Sequence, residues 1–219
     1  MNYILLVDKG KISHITEVSF HAEDEVKDFL EKLLRTQYQN ILPEYTSSSS
    51  PIIVREFRTP MGIADFLVVD IDSGKFYLFE VKNDSNYRIA IGQIFDYAVG
   101  LKSMSIGEIL QALGISVKEN PEIIDKLRDA DLTMIVVLPE IGDGFKLVLD
   151  YLNEHGIRIY GLELKKYVSV DEGTKKIIIA RLYPDPTRHL APKKIIKIPK
   201  EFDDAMRKLI EILGEIRLE

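Results

Sequence analysis

Two apolar runs separated by only four residues constrain this chain most. They are GIADFLVVDI, Gly62 to Ile71, and FYLFEVKND, Phe76 to Asp84, with DSGK between them. Runs this apolar and aromatic fill the middle of a sheet. The Asp-Ser-Gly turn signal makes them antiparallel neighbours. Alternate residues of a strand share a face. Glu80 and Lys82 therefore point together with Leu78, while Tyr77, Phe79 and Val81 point to the other side. An acid–x–base pair inside so buried a strand needs a cause.

The rest of the chain supplies elements to surround that pair. NYILLVD, KGK and ISHITEV read as a β-hairpin. Residues 20–42 carry Val26, Phe29, Leu30, Leu33 and Leu34 at helical spacing, which predicts an amphipathic helix of about three to four turns. PEYTSSSSP is a loop, and the segment most expected to move. IIVREFRT is a strand, and NYRIAIGQIFDYAVGLKSM a helix. Ser105 to Asp131 reads as helical in pieces, broken near Gly114 and Pro121. TMIVVLP has the all-apolar character of a strand covered on both faces. A helix from Phe145 to His155, capped by Gly156, precedes the strands IRIYGLEL and KKIIIARLY. A proline-punctuated stretch then leads to a last helix, about Lys200 to Leu218. The order predicts one α/β domain over residues 1–219, with a mixed central β-sheet flanked by helices. Its parts are an N-terminal β-hairpin (1–20), a core (21–165), and a basic hairpin or tail with a C-terminal helix (166–219).

Fourteen residues lie between Asp65 and Glu80, which suits a hairpin across DSGK. That hairpin brings two carboxylates together on one face, a costly arrangement unless something positive sits between them. Lys82 supplies part of that charge. A hard divalent cation does it better, because Mg²⁺ is held by one or two carboxylates together with water and phosphate oxygens. An ammonium two residues beyond the Glu could then hold an attacking water and stabilise charge developing on phosphorus. The bland account of the same spacing is a cross-strand Glu–Lys pair at a sheet edge.

Charge and composition narrow the classes. The net charge of −6 argues against a protein that simply coats nucleic acid, but it hides an asymmetry. Arg158 to Lys200 holds eleven Lys/Arg against four Asp/Glu, leaving the remainder at −13. With Tyr160, Tyr167 and Tyr183 interleaved, that segment is a candidate phosphate-facing surface; lysines that protect edge strands explain the charge equally. No apolar run approaches the roughly 18 residues of a membrane helix, and the N-terminus lacks the pattern of a signal peptide. The chain has no cysteine, so disulfides and thiolate sites are excluded, and a reducing cytoplasm is the expected compartment. The Lys/Glu-dominated charges and absence of Trp lean towards a thermophile. Four scattered histidines show no metal-ligand spacing, and the GDG of PEIGDGF is read as a turn.

Beyond these separate signals, GIADFLVVD…FYLFEVKN followed by IAIGQIFDYAVGL resembles the PD-(D/E)XK, or restriction-endonuclease-like, nuclease superfamily. Within it the chain looks most like archaeal NucS-like and stand-alone RecB-like proteins. Asp65 matches the motif Asp, Glu80 and Lys82 match E-x-K, and Gln93 and Tyr97 match the Q-x-x-x-Y of the following helix. The match covers residues 20–101 and is looser beyond them; Ala64 stands where the motif's Pro would be.

The resemblance implies a restriction-endonuclease-like core and Mg²⁺-dependent cleavage of DNA phosphodiester bonds, with Mn²⁺ as substitute. Asp65, Glu80 and the Val81 carbonyl would hold the metal, and Lys82 would position or activate the water. A further acid is expected from the first core helix, where Glu23, Asp24 and Glu25 are available. Glu23 falls about 50° from the centre of the apolar stripe and Glu25 about 110° away on the other flank, so Glu23 is the choice and Glu25 the reserve. Gln93 and Tyr97, at i and i+4 on one face, would support the site, and Arg88 would touch phosphate. DNA is the expected partner, and a homodimer is common for this architecture. The alternative on the same fold is a catalytically inactive nucleic-acid-binding or assembly module; a third reading makes the acids merely structural.

Overall fold

The two apolar runs lie side by side within an eight-stranded sheet in the computed structural model, which describes residues 4–8, 11–47, 49–116, 121–169 and 176–185. An N-terminal hairpin, β1 (Ile4–Asp8) and β2 (Lys11–Val18), leads into helix α1 (Glu23–Ile41). Strands β3 (Ile52–Thr59), β4 (Gly62–Asp70) and β5 (Lys75–Val81) follow as an antiparallel meander. Helices α2 (Tyr87–Ser103), α3 (Ile106–Ala112) and α4 (Glu122–Leu127) then carry the chain to β6 (Asp131–Leu138). Helix α5 (Asp143–Glu154) joins β6 to β7 (Ile159–Ser169), and β8 (Lys176–Tyr183) turns back on β7. The order across the sheet is β1-β2-β7-β6-β5-β4-β3, with β8 also paired to β7. The fold is α/β, with a mixed, open sheet flanked by helices. The expected helix from Lys200 to Leu218 lies outside the described residues.

Strands β5, β6 and β7 are parallel, so each connection must cross the sheet, and α2–α4 and α5 are those crossings. One face is sealed by α1. Its Val26, Leu30 and Leu34 join Phe66 and Val68 of β4, Tyr77, Phe79 and Val81 of β5, and Ile135 and Val137 of β6 in one core cluster. Alternation sends Asp65, Leu67, Leu78 and Glu80 to the opposite face, which α2 covers with Ala90, Ile94 and Leu101. Glycine is required at the β4–β5 turn. Gly74 has φ +62°, and a Cβ there would lie 2.7 Å from the Lys126 carbonyl oxygen.

Two elements outrun their local patterns. Helix α1 has 19 residues, with a non-helical Gln37 (φ −137°) near its end, because packing of Ile41 carries the chain past a polar stretch. Strand β7 continues through Lys165–Ser169, beyond the expected IRIYGLEL, because it finds three partners. β8 lines one edge of it, while β6 (against residues 159–163) and β2 (against 166–169) share the other edge end to end. In the described part of the serine loop, Ser47 Oγ donates to Asp70, Ser49 Oγ to Asp72, and the Tyr45 hydroxyl to the Ser49 carbonyl.

Candidate active site at the end of strand β5

Strand register sets the site. Phe66 pairs with Phe79, so one further step places Asp65 beside Glu80 on the face away from α1. Both carboxylates are nearly closed to solvent, at 7% and 2% exposure. Asp65 Oδ2 accepts a hydrogen bond from the Val81 amide at 2.7 Å, which locks the start of β4 to the end of β5. Across from Asp65 in the edge strand, between the pairs Arg55–Phe66 and Phe57–Ala64, Glu56 adopts φ +57°. A left-handed glutamate costs on the order of 1–3 kcal/mol, so the ladder is distorted beside the site.

The first turn of α1 reaches over this end of the sheet, and its three successive acids diverge as helical geometry dictates. Glu23 turns to the site: its Oε1 lies 3.1 Å from Lys27 Nζ and its Oε2 3.5 Å from Lys82 Nζ. Asp24 faces Arg55 at 3.6 Å. Glu25 takes Lys166 Nζ at 2.7 Å and the His21 amide at 3.0 Å, and these bonds, Lys166 first, hold its carboxyl below the usual range. Of the three acids, Glu23 is the one that reaches the Asp65–Glu80 cluster, and Glu25 turns away from it to Lys166.

Lys27 completes the cluster, with Nζ 2.6 Å from Asp65 Oδ1, and Lys82 Nζ donates to Glu80 Oε1 at 2.5 Å. The result is a chain of alternating charge: Glu80, Lys82, Glu23, Lys27, Asp65. Three carboxylates face two ammonium groups, so one negative charge is surplus. Glu80 carries the strain. Burial and the neighbouring Asp65 charge raise its pKa to about 7, against the pull of Lys82. Burial opposes the charge on both lysines, but the hydrogen bond and charge of Asp65 (for Lys27) and of Glu80 (for Lys82) outweigh it. Both stay more firmly protonated than a free lysine.

Lys27 was not legible in the sequence. The only signal was its i,i+4 spacing from Glu23, the commonest of surface helix pairs.

On α2, Gln93 Nε2 lies 3.4 Å from the Tyr97 hydroxyl, and the buried Gln93 Oε1 has no hydrogen-bond partner among the described residues. Tyr97 packs over Gly62, where a Cβ would come within 2.7 Å of the ring. Burial, then the charges of Glu80 and Asp65, raise the Tyr97 pKa, so the ring stands in the field of the site. Arg88 is exposed, its guanidinium 5.9 Å from the centre of the Tyr87 ring, which itself stacks on Phe145 at 5.0 Å.

The basic segment is less available than its composition suggests. Tyr160 is turned into the core, and the hydroxyls of Tyr167 and Tyr183 donate to Glu17 and Asp150. Strand alternation and the pairing of β7 with β2 and β8 account for all three. Arg158 pairs with Asp131, Lys165 with Glu17 and Glu163, and Lys166 with Glu25. The basic residues from Arg188 to Lys200 lie outside the described residues.

Among the described residues no three His, Cys, Asp or Glu side chains are grouped as a metal would need. Lys27 stands between Glu23 and Asp65, and Lys82 between Glu23 and Glu80. The donor chemistry itself suits a hard cation, with buried carboxylate oxygens in excess of the ammonium groups that neutralise them. Comparison of the chain with protein-family models, with curated proteins and with solved structures returned no match.

Proposed function

We infer that this protein is a metal-dependent nuclease that hydrolyses DNA phosphodiester bonds on a restriction-endonuclease-like core. One observation carries the reading: Asp65 and Glu80 face each other, nearly buried, with Lys82 two residues beyond Glu80 at the same sheet end. The β3–β4–β5 meander followed by parallel β6 and β7 supports it, as does the Gln93–Tyr97 pair beside the carboxylates.

Asp65, Glu80 and the Val81 carbonyl would hold Mg²⁺ or Mn²⁺. Such a cation, when bound, supplies Lewis acidity to the phosphate and to its attacking water. Against burial, the Glu80, Glu23 and Asp65 carboxylates raise the pKa of Lys82 in the metal-free protein; Lys82 would position or activate that water and offset charge building on the phosphate. Glu23, 3.5 Å from Lys82 Nζ, would complete the metal shell or tether that water. Gln93 presents an unpaired carbonyl oxygen and Tyr97 a hydroxyl on the same helix face, suited to steadying the site or the nucleic-acid backbone. Exposed Arg88 is available to phosphate. Among the described residues no helix is long and apolar enough to cross a membrane; a cytoplasmic place and a homodimer belong to the proposal.

The test is a cleavage panel on circular and linear, single- and double-stranded DNA, with and without Mg²⁺ or Mn²⁺. Cleavage by the wild-type chain that requires the cation and is lost in Glu80→Ala is expected; equal cleavage by Glu80→Ala sinks the reading. One observation favours a non-catalytic nucleic-acid-binding module instead: each carboxylate already has an ammonium partner. Calorimetry that finds no Mn²⁺ uptake, together with DNA binding, would select it.

A further inference from the structure

We propose that Lys27 is a resident cation of this site, standing where a second divalent ion would otherwise sit, so that the protein takes up one metal ion per chain. The proposal rests on the nuclease reading and concerns the balance of charge within it. Lys27 Nζ lies between Asp65 Oδ1 (2.6 Å) and Glu23 Oε1 (3.1 Å), bridging one acid from the sheet to one from the helix. Its side chain is 12% exposed, so solvent does little to screen it. Asp65 Oδ2 is engaged by the Val81 amide. Each Asp65 oxygen thus has one partner and keeps a further lone pair, while the route from Glu23 to Asp65 runs through the ammonium.

The two halves of the cluster differ in how they could open. On the Glu80 side, Lys82 is anchored to a single carboxylate oxygen at 2.5 Å and reaches Glu23 only at 3.5 Å. It can swing to Glu23 and leave Glu80 beside Asp65. Lys27 has less slack: it is held by both of its carboxylates, one on the sheet and one on the helix, at 2.6 and 3.1 Å. Charge gives the same ordering. Three carboxylates and two ammonium groups leave room for one divalent ion near neutrality, whereas loss of Lys27 doubles the surplus negative charge.

Mn²⁺ binding to the full-length wild-type, Lys27→Met and Lys27→Arg chains, measured by electron paramagnetic resonance and titration calorimetry, tests this without reference to cleavage. Thermal melts of the three confirm that each is folded. The wild type and Lys27→Arg are expected to bind one Mn²⁺ per chain. Lys27→Met is expected to bind Mn²⁺ at least about ten-fold tighter or to take up a second ion, since a tenfold gain needs only about 1.4 kcal/mol. One ion bound by Lys27→Met with wild-type affinity or weaker overturns the role given to Lys27 and leaves the nuclease reading intact. No Mn²⁺ uptake by any of the three overturns the metal site, and the proposal with it.

Discussion

Strand β4 has a buried carboxylate at each end, and the two are satisfied in opposite ways. At the turn end, Asp70 is 1% exposed and accepts from the hydroxyls of Ser47 and Ser73 and from the amides of Asp72 and Ser73. Every donor is neutral and three belong to the turn itself or its backbone. At the other end, Asp65 and Glu80 are held by one amide and two lysines, and they repel each other. A carboxylate gripped by fixed neutral dipoles is architecture, since nothing can replace those donors without unmaking the turn. One neutralised by long ammonium side chains can exchange partners for a ligand. The acids at both ends are buried; exchangeability is what separates a structural acid from a candidate catalytic one.

The contrast can be broken at either end. The largest effect belongs to Lys82→Ala, which should lower metal-dependent cleavage by about 10³-fold, near 4 kcal/mol of barrier, while the chain still melts cooperatively. Unchanged cleavage by that variant would remove the site end from the comparison. Asp70→Ala should cost about 2–4 kcal/mol in urea denaturation, because several buried donors lose their shared acceptor. A loss below 1 kcal/mol would mean the turn does not depend on it.

Glu80→Gln should behave in the reverse sense and stabilise the chain by about 1–2 kcal/mol at pH 8. The sign follows from Glu80's raised pKa of about 7. Between the ordinary glutamate value and 7 the unfolded chain gives up this proton first, so the folded state loses stability as pH rises through that window. The gain in Glu80→Gln should therefore fade towards pH 5, and a pH-independent difference in melting temperature would contradict it. The smallest effect is that of Ser47→Ala, about 0.5–1.5 kcal/mol, since Asp70 keeps its other donors.

What the sequence disclosed tracks how local the deciding physics is. The DSGK turn set the β4–β5 register, so the approach of Asp65 to Glu80 was readable from spacing alone. The choice of Glu23 over Glu25 followed from the phase of one helix stripe. Lys27 was hidden because its partner Asp65 is 38 positions away in the chain and its local partner looks ordinary. Tyr160, Tyr167 and Tyr183 were misjudged for a related reason. Their orientations depend on β7 pairing with strands at both ends of the chain, and no window of neighbouring residues contains that information. The element order was thus legible, and the ionic partnerships across it were not.

The shared edge of β7 has a consequence for how the chain is made. Strand β2 docks there, with Ile15 opposite Ser169, so the hairpin's seat is synthesised some 150 residues after the hairpin itself. At about 5–20 residues per second, the ribosome leaves that hairpin without its partner for about 8 to 30 s. During that interval its open edge is a template for any other extended chain. The hairpin is therefore exposed throughout translation of the chain between it and the strand that shelters it.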